Sequence, residues 1–400
     1  MSENSLKFLK IIKSIQKELM TSELSGNIGL HAGTSGIALF LAYYDRIVQK
    51  KDYLSQRVYN ILAHNIELID SGCRQHTICS GISGFGWLCE HLTKTGMLNR
   101  EDVEFLDHFD DFLFIKMMTD IKQGNYDYLH GAIGVGTYML SRFDKQEIPM
   151  YIEMLLSELE KSGIPCDNNS IKWESVLNKD TGEKGFNISL SHGMSSIAAF
   201  LIRLHQLNFE TERVECLLTK TINYILSQST YIEGNISYFP SYAKESSNGN
   251  NNSRLSWCYG DMGIALVTLR AARILKNEEW RKTSLRILLH NSLRRDLKQN
   301  RIMDACLCHG SAGIAHIFEN IYLNTFVKEF RETSDYWLDI TMKMARHSDG
   351  FAGFKSWYTE EYGGYKNADS LLEGIAGIGL VFLSHLEGNK MTWDECFLLS

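Results

Sequence analysis

Two short stretches of this chain carry residues suited to metal chemistry. One is Ser256-Trp257-Cys258-Tyr259-Gly260, ending its turn at Gly263; the other, fifty residues on, is Cys308-His309-Gly310, ending at Gly313. Each sets a soft ligand directly before a Gly-x-x-Gly turn and an apolar run. Cys258, Cys308 and His309 form a set of three candidate ligands. Three protein ligands with a fourth position open is how a catalytic zinc is held, whereas structural zinc takes four. Two thiolates and one imidazole leave Zn(II) formally neutral. Such a site accepts a further thiol and keeps it as thiolate near neutral pH, so the chemistry read here is thiol activation rather than water activation. The competing reading is two buried free cysteines and a hydrogen-bonded core histidine. Adjacent ligands such as Cys308 and His309 are unusual in a structural zinc knuckle, which speaks for a working site. Cys306 lies two residues before Cys308 and is set aside, because Cys308 abuts its turn as Cys258 does.

Four further residues sit where they could handle protons or charge. His192 precedes the turn at Gly193, and an imidazole titrates near neutrality. Asp127 lies three residues before His130 and is a candidate to orient a base or accept a proton. Arg254, four residues before Cys258, and Tyr259, beside it, are placed to stabilise a developing oxyanion. Each also has a plainer reading, as a helix-start hydrogen-bonding residue, a loop carboxylate or a solvated cation. His31, Cys79, His130 and Glu373 hold the corresponding places in other turns, and no chemistry is assigned to them. Cys73, Cys89, Cys166, Cys216 and Cys396 have no partner pattern.

The elements that must position these residues repeat. First glycines of the turn fall at 33, 81, 131, 193, 260, 310 and 374, at spacings of about fifty to sixty-seven residues. Before each lies an amphipathic stretch: Asn4 to Met20, Tyr53 to Ile69, Asp102 to Ile121, Pro149 to Ser162, Glu212 to Ser227, Glu278 to Leu297 and Asn324 to Arg346. After each comes a run that is apolar nearly all round, such as Ile37 to Tyr44, and that pattern marks a buried helix. The first glycine is expected to free the backbone for the turn and the second to let the next helix start close to its neighbours. One helical hairpin per repeat cannot bury its inner helix alone, so the repeats must stack. The final inner run, Ile375 to Ser384, is as apolar as the middle ones and lacks a polar cap. The expected fold is therefore all-α, a closed α/α toroid of seven helical-hairpin repeats, as one domain over residues 1–400. In such a ring the residues before the turns converge on one rim. The connections 163–187 and 233–253 read as loops on that rim, the run at 246–252 as a mobile one.

Composition narrows the class. The chain has 400 residues, 44% of them apolar, and only 3 prolines, which suits a large helical core. A net charge of −7 argues against broad nucleic-acid binding. The first twenty residues carry lysines throughout and no apolar core, and no apolar run reaches the ~20 residues of a membrane span. The 9 cysteines are scattered, so a cytoplasmic protein with reduced thiols is expected.

Arg254-x-x-Trp257-Cys258-Tyr259-Gly260, Cys308-His309-Gly310, Asn187-x-x-x-Ser191-His192-Gly193 and Tyr126-Asp127, with the seven turns, together resemble the lanthionine synthetase C-like family, the lanthipeptide cyclases. The resemblance spans essentially the whole chain. It implies one Zn2+ per chain on Cys258, Cys308 and His309, and catalytic roles at Asp127, His192, Arg254 and Tyr259. It implies conjugate addition of a peptide cysteine thiol to dehydroalanine or dehydrobutyrine, closing a thioether ring. The implied partner is a dehydrated precursor peptide, with a dehydratase and an ABC exporter as further candidates, and a monomer is expected. Ser196 departs from the pattern, standing where the second glycine of its turn belongs. Alternatives from other classes are a homologue that adds glutathione or another small thiol to dehydroamino acids, and a non-catalytic zinc-stabilised peptide-binding scaffold. Zinc-dependent prenyl transfer fits less well, since its ligand set includes a carboxylate.

Overall fold

The alternation of half-apolar and wholly apolar stretches is met by fourteen α-helices among the described residues. In chain order they are α1 (Glu3–Thr21), α2 (Thr34–Ile47), α3 (Gln56–Asp70), α4 (Ile82–Lys94), α5 (Asp110–Lys122), α6 (Ala132–Ser141), α7 (Ile148–Ser162), α8 (Met194–Gln206), α9 (Thr211–Ser227), α10 (Asp261–Ile274), α11 (Glu278–Ser292), α12 (Ser311–Thr325), α13 (Lys328–Lys343) and α14 (Ile375–Leu386). A computed structural model of the chain describes every residue except 1–2, 179–180, 248, 250, 389–390 and 400. Two residues of the 246–252 run, Asn248 and Asn250, thus lie outside the described residues.

The two helix classes bury differently, as their sequences require. In α3 the buried positions are Val58, Ile61, Leu62, Asn65 and Ile69, one stripe at three- and four-residue spacing. In α2 every residue from Thr34 to Asp45 is buried. Removing a large side chain from such a helix, Phe40 for example, leaves a cavity the close-packed surroundings cannot fill.

The chain forms two compact units, residues 1–109 with 302–400, and residues 110–301. In the first, the wholly apolar helices pack in the order α4, α2, α14, α12, with α1, α3 and α13 against them. The loops before them are laced together by backbone hydrogen bonds: Leu30 N–H to Ile78 O (3.1 Å), Leu372 N–H to His31 O (2.8 Å) and Cys308 N–H to Leu372 O (3.0 Å). The segment Trp393–Phe397 is buried in this unit as a 3-10 turn. His31 Nε2 donates to its Cys396 carbonyl at 2.8 Å, and Asp394 lies 2.9 Å from His316 Nε2. His31 therefore anchors the fold. In the second unit α6, α8 and α10 pack in that order, with α5, α7, α9 and α11 against them. Leu190 N–H donates to Cys258 O at 3.2 Å, which links two of its loops in the same way.

Three expectations are corrected. The stretch Asp102 to Ile121 is not one helix: a 3-10 segment, Arg100–His108, precedes α5. The chain restarts at Asp110, whose carboxylate is drawn inward by Arg142 (2.8 Å) and Tyr138 (2.8 Å). The helix Glu278 to Leu297 ends at Ser292, because Arg294 turns into the core to reach Ser253 O at 2.8 Å. The connection 163–187 holds two small antiparallel pairs, β1 (Ile164–Cys166) with β2 (Ser170–Lys172) and β3 (Ser175–Asn178) with β4 (Glu183–Gly185). A third pair, β5 (Ser356–Trp357) with β6 (Tyr365–Lys366), lies in the first unit.

Glycine before each inner helix is needed for space more than for conformation. At Gly310 the backbone is extended, with φ −103°, a value any residue adopts. At Gly313 a Cβ would lie 1.9 Å from Leu307 O. Gly260 alone among the first glycines has positive φ, +89°, and its Cβ would also meet Ser253 Oγ at 2.5 Å. Ser196 is tolerated where its turn lacks the second glycine: it is buried, and its Oγ donates to Gly193 O at 2.7 Å.

Candidate functional site

In the unit formed by residues 110–301, three loops carry candidate residues to the start of three apolar helices. Asp127 precedes α6, His192 precedes α8 and Tyr259 precedes α10. Asp127 Oδ2 is 2.7 Å from His192 Nδ1, and its Oδ1 accepts the His130 N–H at 2.8 Å. The side chains of His192 and Asp127 are 26% and 19% exposed, so the pair is held by the fold yet reachable. The His192 ring lies 5.9 Å from His130, near-parallel to it, and 5.8 Å from the ring of Tyr259.

Electrostatics follow from this packing. Burial alone would raise the Asp127 carboxyl, but the His192 and His130 charges and hydrogen bonds outweigh it and hold it below the ordinary carboxylate value. Asp127 is thus ionised at neutral pH and acts as acceptor, which places the shared proton on His192 Nδ1. Burial, with Tyr242 nearby, pushes the Tyr259 hydroxyl well above its ordinary value, so it stays a donor. A hydrogen bond with the Asn187 side chain pulls it part of the way back.

Arg254 stands apart from this trio. Its Nη2 donates to the Arg301 carbonyl at 3.1 Å, and no hydrogen bond or ion pair joins it to the trio among the described residues. Cys258 is buried in the same unit. Its carbonyl accepts from Leu190 N–H and from Ser191 Oγ (3.2 Å), and its Sγ lies 3.5 Å from Ser256 Oγ.

Cys308 and His309 belong to the other unit, in the loop before α12. Cys308 is buried there, and the His309 N–H points at Cys306 Sγ at 3.5 Å. Asp304 organises this loop: Oδ1 accepts Cys306 N–H at 2.9 Å, Oδ2 accepts Trp357 N–H at 2.6 Å, and the same Oδ2 lies 3.9 Å from His309 Nε2. Ligand atoms of Asp304, Cys306 and His309 all fall within 4.8 Å of one another, a grouping able to hold a metal ion. Thiol and imidazole donors of this kind suit zinc. Burial pushes the Cys306 thiol up to about 11, so without a metal it is protonated.

Asp304 and Asn187 were not assigned roles by spacing, although a signal exists. Both stand six residues before the first glycine of their turn, as do Asn27, Asn125 and Arg254.

The sequence model of the lanthionine synthetase C-like proteins matches residues 25–398. Nisin biosynthesis protein NisC of Lactococcus lactis subsp. lactis is 24% identical, over 94% of this chain and 89% of its own. Glutathione S-transferase LANCL1 of Danio rerio is 24% identical, over 70% of this chain and 62% of its own. The solved structure of nisin cyclase superposes with a TM-score of 0.74 at 20% identity, covering 100% of this chain and 98% of that one, which shows a shared fold. The chain therefore belongs to the lanthionine synthetase C-like proteins.

Proposed function

We propose that the protein is a zinc-dependent peptide cyclase that adds a cysteine thiol to dehydroalanine or dehydrobutyrine within a dehydrated precursor peptide, giving lanthionine or methyllanthionine. The observation that carries this reading is the mostly buried yet reachable Asp127–His192 pair, bonded at 2.7 Å beside Tyr259. It supplies a base fixed in orientation, next to a hydrogen-bond donor, in a member of this family. The reading includes one closed toroid domain of seven hairpins over residues 1–400, acting as a monomer in the cytoplasm. A dehydratase and an ABC exporter are further candidate partners.

Cys258, Cys308 and His309 would hold one zinc per chain; when bound, it supplies acidification of a substrate thiol. The chain's own residues then divide the remaining work. Asp127 keeps the His192 proton on Nδ1, which makes Nε2 the atom that takes the thiol proton. As the sulfur–carbon bond forms at the β-carbon, the double-bond electrons move onto the α-carbon and its carbonyl oxygen. Tyr259 donates a hydrogen bond to that oxygen, and Arg254, released from the Arg301 carbonyl, adds positive charge. His192 Nε2 returns its proton to the α-carbon, so atoms and charge balance.

The test is a synthetic peptide with one dehydroalanine and one cysteine. Ring closure leaves the mass unchanged and removes the thiol, so the product no longer takes up iodoacetamide. Rapid loss of alkylation with the parent protein, and not with His192→Ala, supports the reading. Alkylation that persists with the parent protein would sink it. The similarity to a glutathione S-transferase favours a second reading, addition of a small thiol. A mass gain of one glutathione on a cysteine-free dehydroalanine peptide would select it.

A further inference from the structure

Four of the turns have a hydrogen-bonding post six residues before their first glycine: Asn27, Asn125, Asn187 and Asp304. Asn27 Oδ1 accepts Gly29 N–H at 3.0 Å, and Asn187 Oδ1 accepts Ser189 N–H at 2.9 Å. Asn125 uses its amide instead, donating to the His130 carbonyl at 3.1 Å. Before α12 the post is Asp304, whose Oδ1 makes the equivalent bond to Cys306 N–H. A neutral amide therefore suffices for the turn. Asp304 nevertheless places a carboxylate there, and it is buried. A buried charge is costly unless something nearby uses it.

Two groups face its second oxygen: the Trp357 N–H and the His309 imidazole, Nε2 at 3.9 Å. The first is a backbone donor that an amide oxygen could also satisfy. The second is a ring that gains from a carboxylate in particular. An imidazole bound to a metal through one nitrogen carries its proton on the other. A carboxylate behind that proton fixes the tautomer, aims the ring and raises its basicity. The geometry points to Asp304 as the positioning residue for His309: Oδ2 takes the Nε2–H and leaves Nδ1 as the atom offered to the metal. At 3.9 Å the two atoms are about 1 Å beyond an ordinary hydrogen bond, and the inference is that they close to bonding distance when the metal is bound. This inference rests on the zinc reading above and adds a residue to it.

The test measures zinc affinity of the full chain by competition with a chromophoric chelator. Four proteins are compared: the parent, Asp304→Asn, His309→Ala and the double variant. Asparagine keeps the turn acceptor that Asn27 and Asn187 supply in their own loops. If Asp304 acts through His309, Asp304→Asn weakens zinc binding about 10–100-fold in the parent background. With His309 already removed, the same change has an effect of less than about twofold. An equal loss in both backgrounds would mean a purely structural role, and no loss in the parent would mean no role; either overturns the inference. A second measurement needs no Asp304 variant. In the zinc-loaded parent labelled with 15N-histidine, the signal lost in His309→Ala should report a protonated Nε2 and a metal-bound Nδ1. Zinc on Nε2 overturns the inference. A parent that binds no zinc, or a His309→Ala variant of unchanged affinity, brings down the zinc reading itself, and does so without reference to Asp304.

Discussion

The loop before α8 and the loop before α12 are built on one backbone plan and surround their histidines differently. Both begin with a side-chain acceptor six residues before glycine, Asn187 and Asp304, and both end in a histidine just before it, His192 and His309. In the first loop the post is neutral. The histidine takes its carboxylate from another repeat, Asp127, at 2.7 Å. In the second loop the post itself is an aspartate, and two cysteines, Cys306 and Cys308, lie between it and the histidine. The lesson is that one loop frame can bring a carboxylate to its histidine from two sources, another loop or the loop itself, and on the proposed function that source separates the two imidazole roles. A carboxylate from across the repeats leaves a histidine exposed enough to move protons. A carboxylate inside the loop suits the ligating role proposed for His309.

The sharpest way to break this contrast is to empty the ligating loop. Cys308→Ala should abolish both zinc retention and thioether formation, read by metal analysis and by iodoacetamide uptake of the peptide product. Next comes the proton-handling loop. Asp127→Asn should lower kcat by about 10²–10⁴-fold while zinc content stays at the parent level, because the imidazole loses the partner that fixes its proton. A variant that lost metal as well would show the two loops to be one functional block.

Stability effects are smaller and sharpen the picture of the frame. Phe40→Ala, in a wholly buried helix, should cost about 3–5 kcal/mol in denaturant unfolding. Asp261 should give a pH signature. Burial raises its carboxyl to about 6, against the pull of Arg294 and of the Tyr238 and Phe239 N–H groups. A carboxyl raised in the folded state stabilises below its unfolded value and loses that contribution as pH rises through the folded value. Stability of the parent relative to Asp261→Asn should therefore fall between about pH 4 and pH 6, by about 3 kcal/mol at most. A flat difference would mean that the carboxylate stays ionised against Arg294. The smallest effect is expected from Ser196→Gly, which restores the family's turn: a loss of up to ~1 kcal/mol in thermal unfolding, from glycine's backbone freedom, with activity unchanged.

Much of this frame is legible in the sequence, because buried and half-buried helices differ in periodicity and each turn carries its first glycine. What escaped depends on single polar side chains drawn inward from afar. Asp110 breaks a stretch that reads as one helix because Arg142 and Tyr138 bind its carboxylate. Arg294 ends α11 early for the sake of Ser253 and Asp261. The strand pairs within 163–187 are three or four residues long, too short to show a period of two. At the candidate site, Asp127, His192 and Tyr259 were legible as residues next to turns and are found together. Arg254 was legible too, but the Arg301 carbonyl holds it. Asp304 was not, because its role lies in a second carboxylate oxygen that spacing cannot reveal.

The most direct test of the central claim is zinc per chain in the purified protein, repeated for Cys308→Ala and Cys306→Ala. About one zinc is expected in the parent, none in Cys308→Ala and about one in Cys306→Ala. A parent without zinc after refolding in its presence would contradict the cyclase mechanism. Loss of zinc in Cys306→Ala with retention in Cys308→Ala would instead move the metal to the Asp304, Cys306 and His309 grouping and contradict the proposed ligand set.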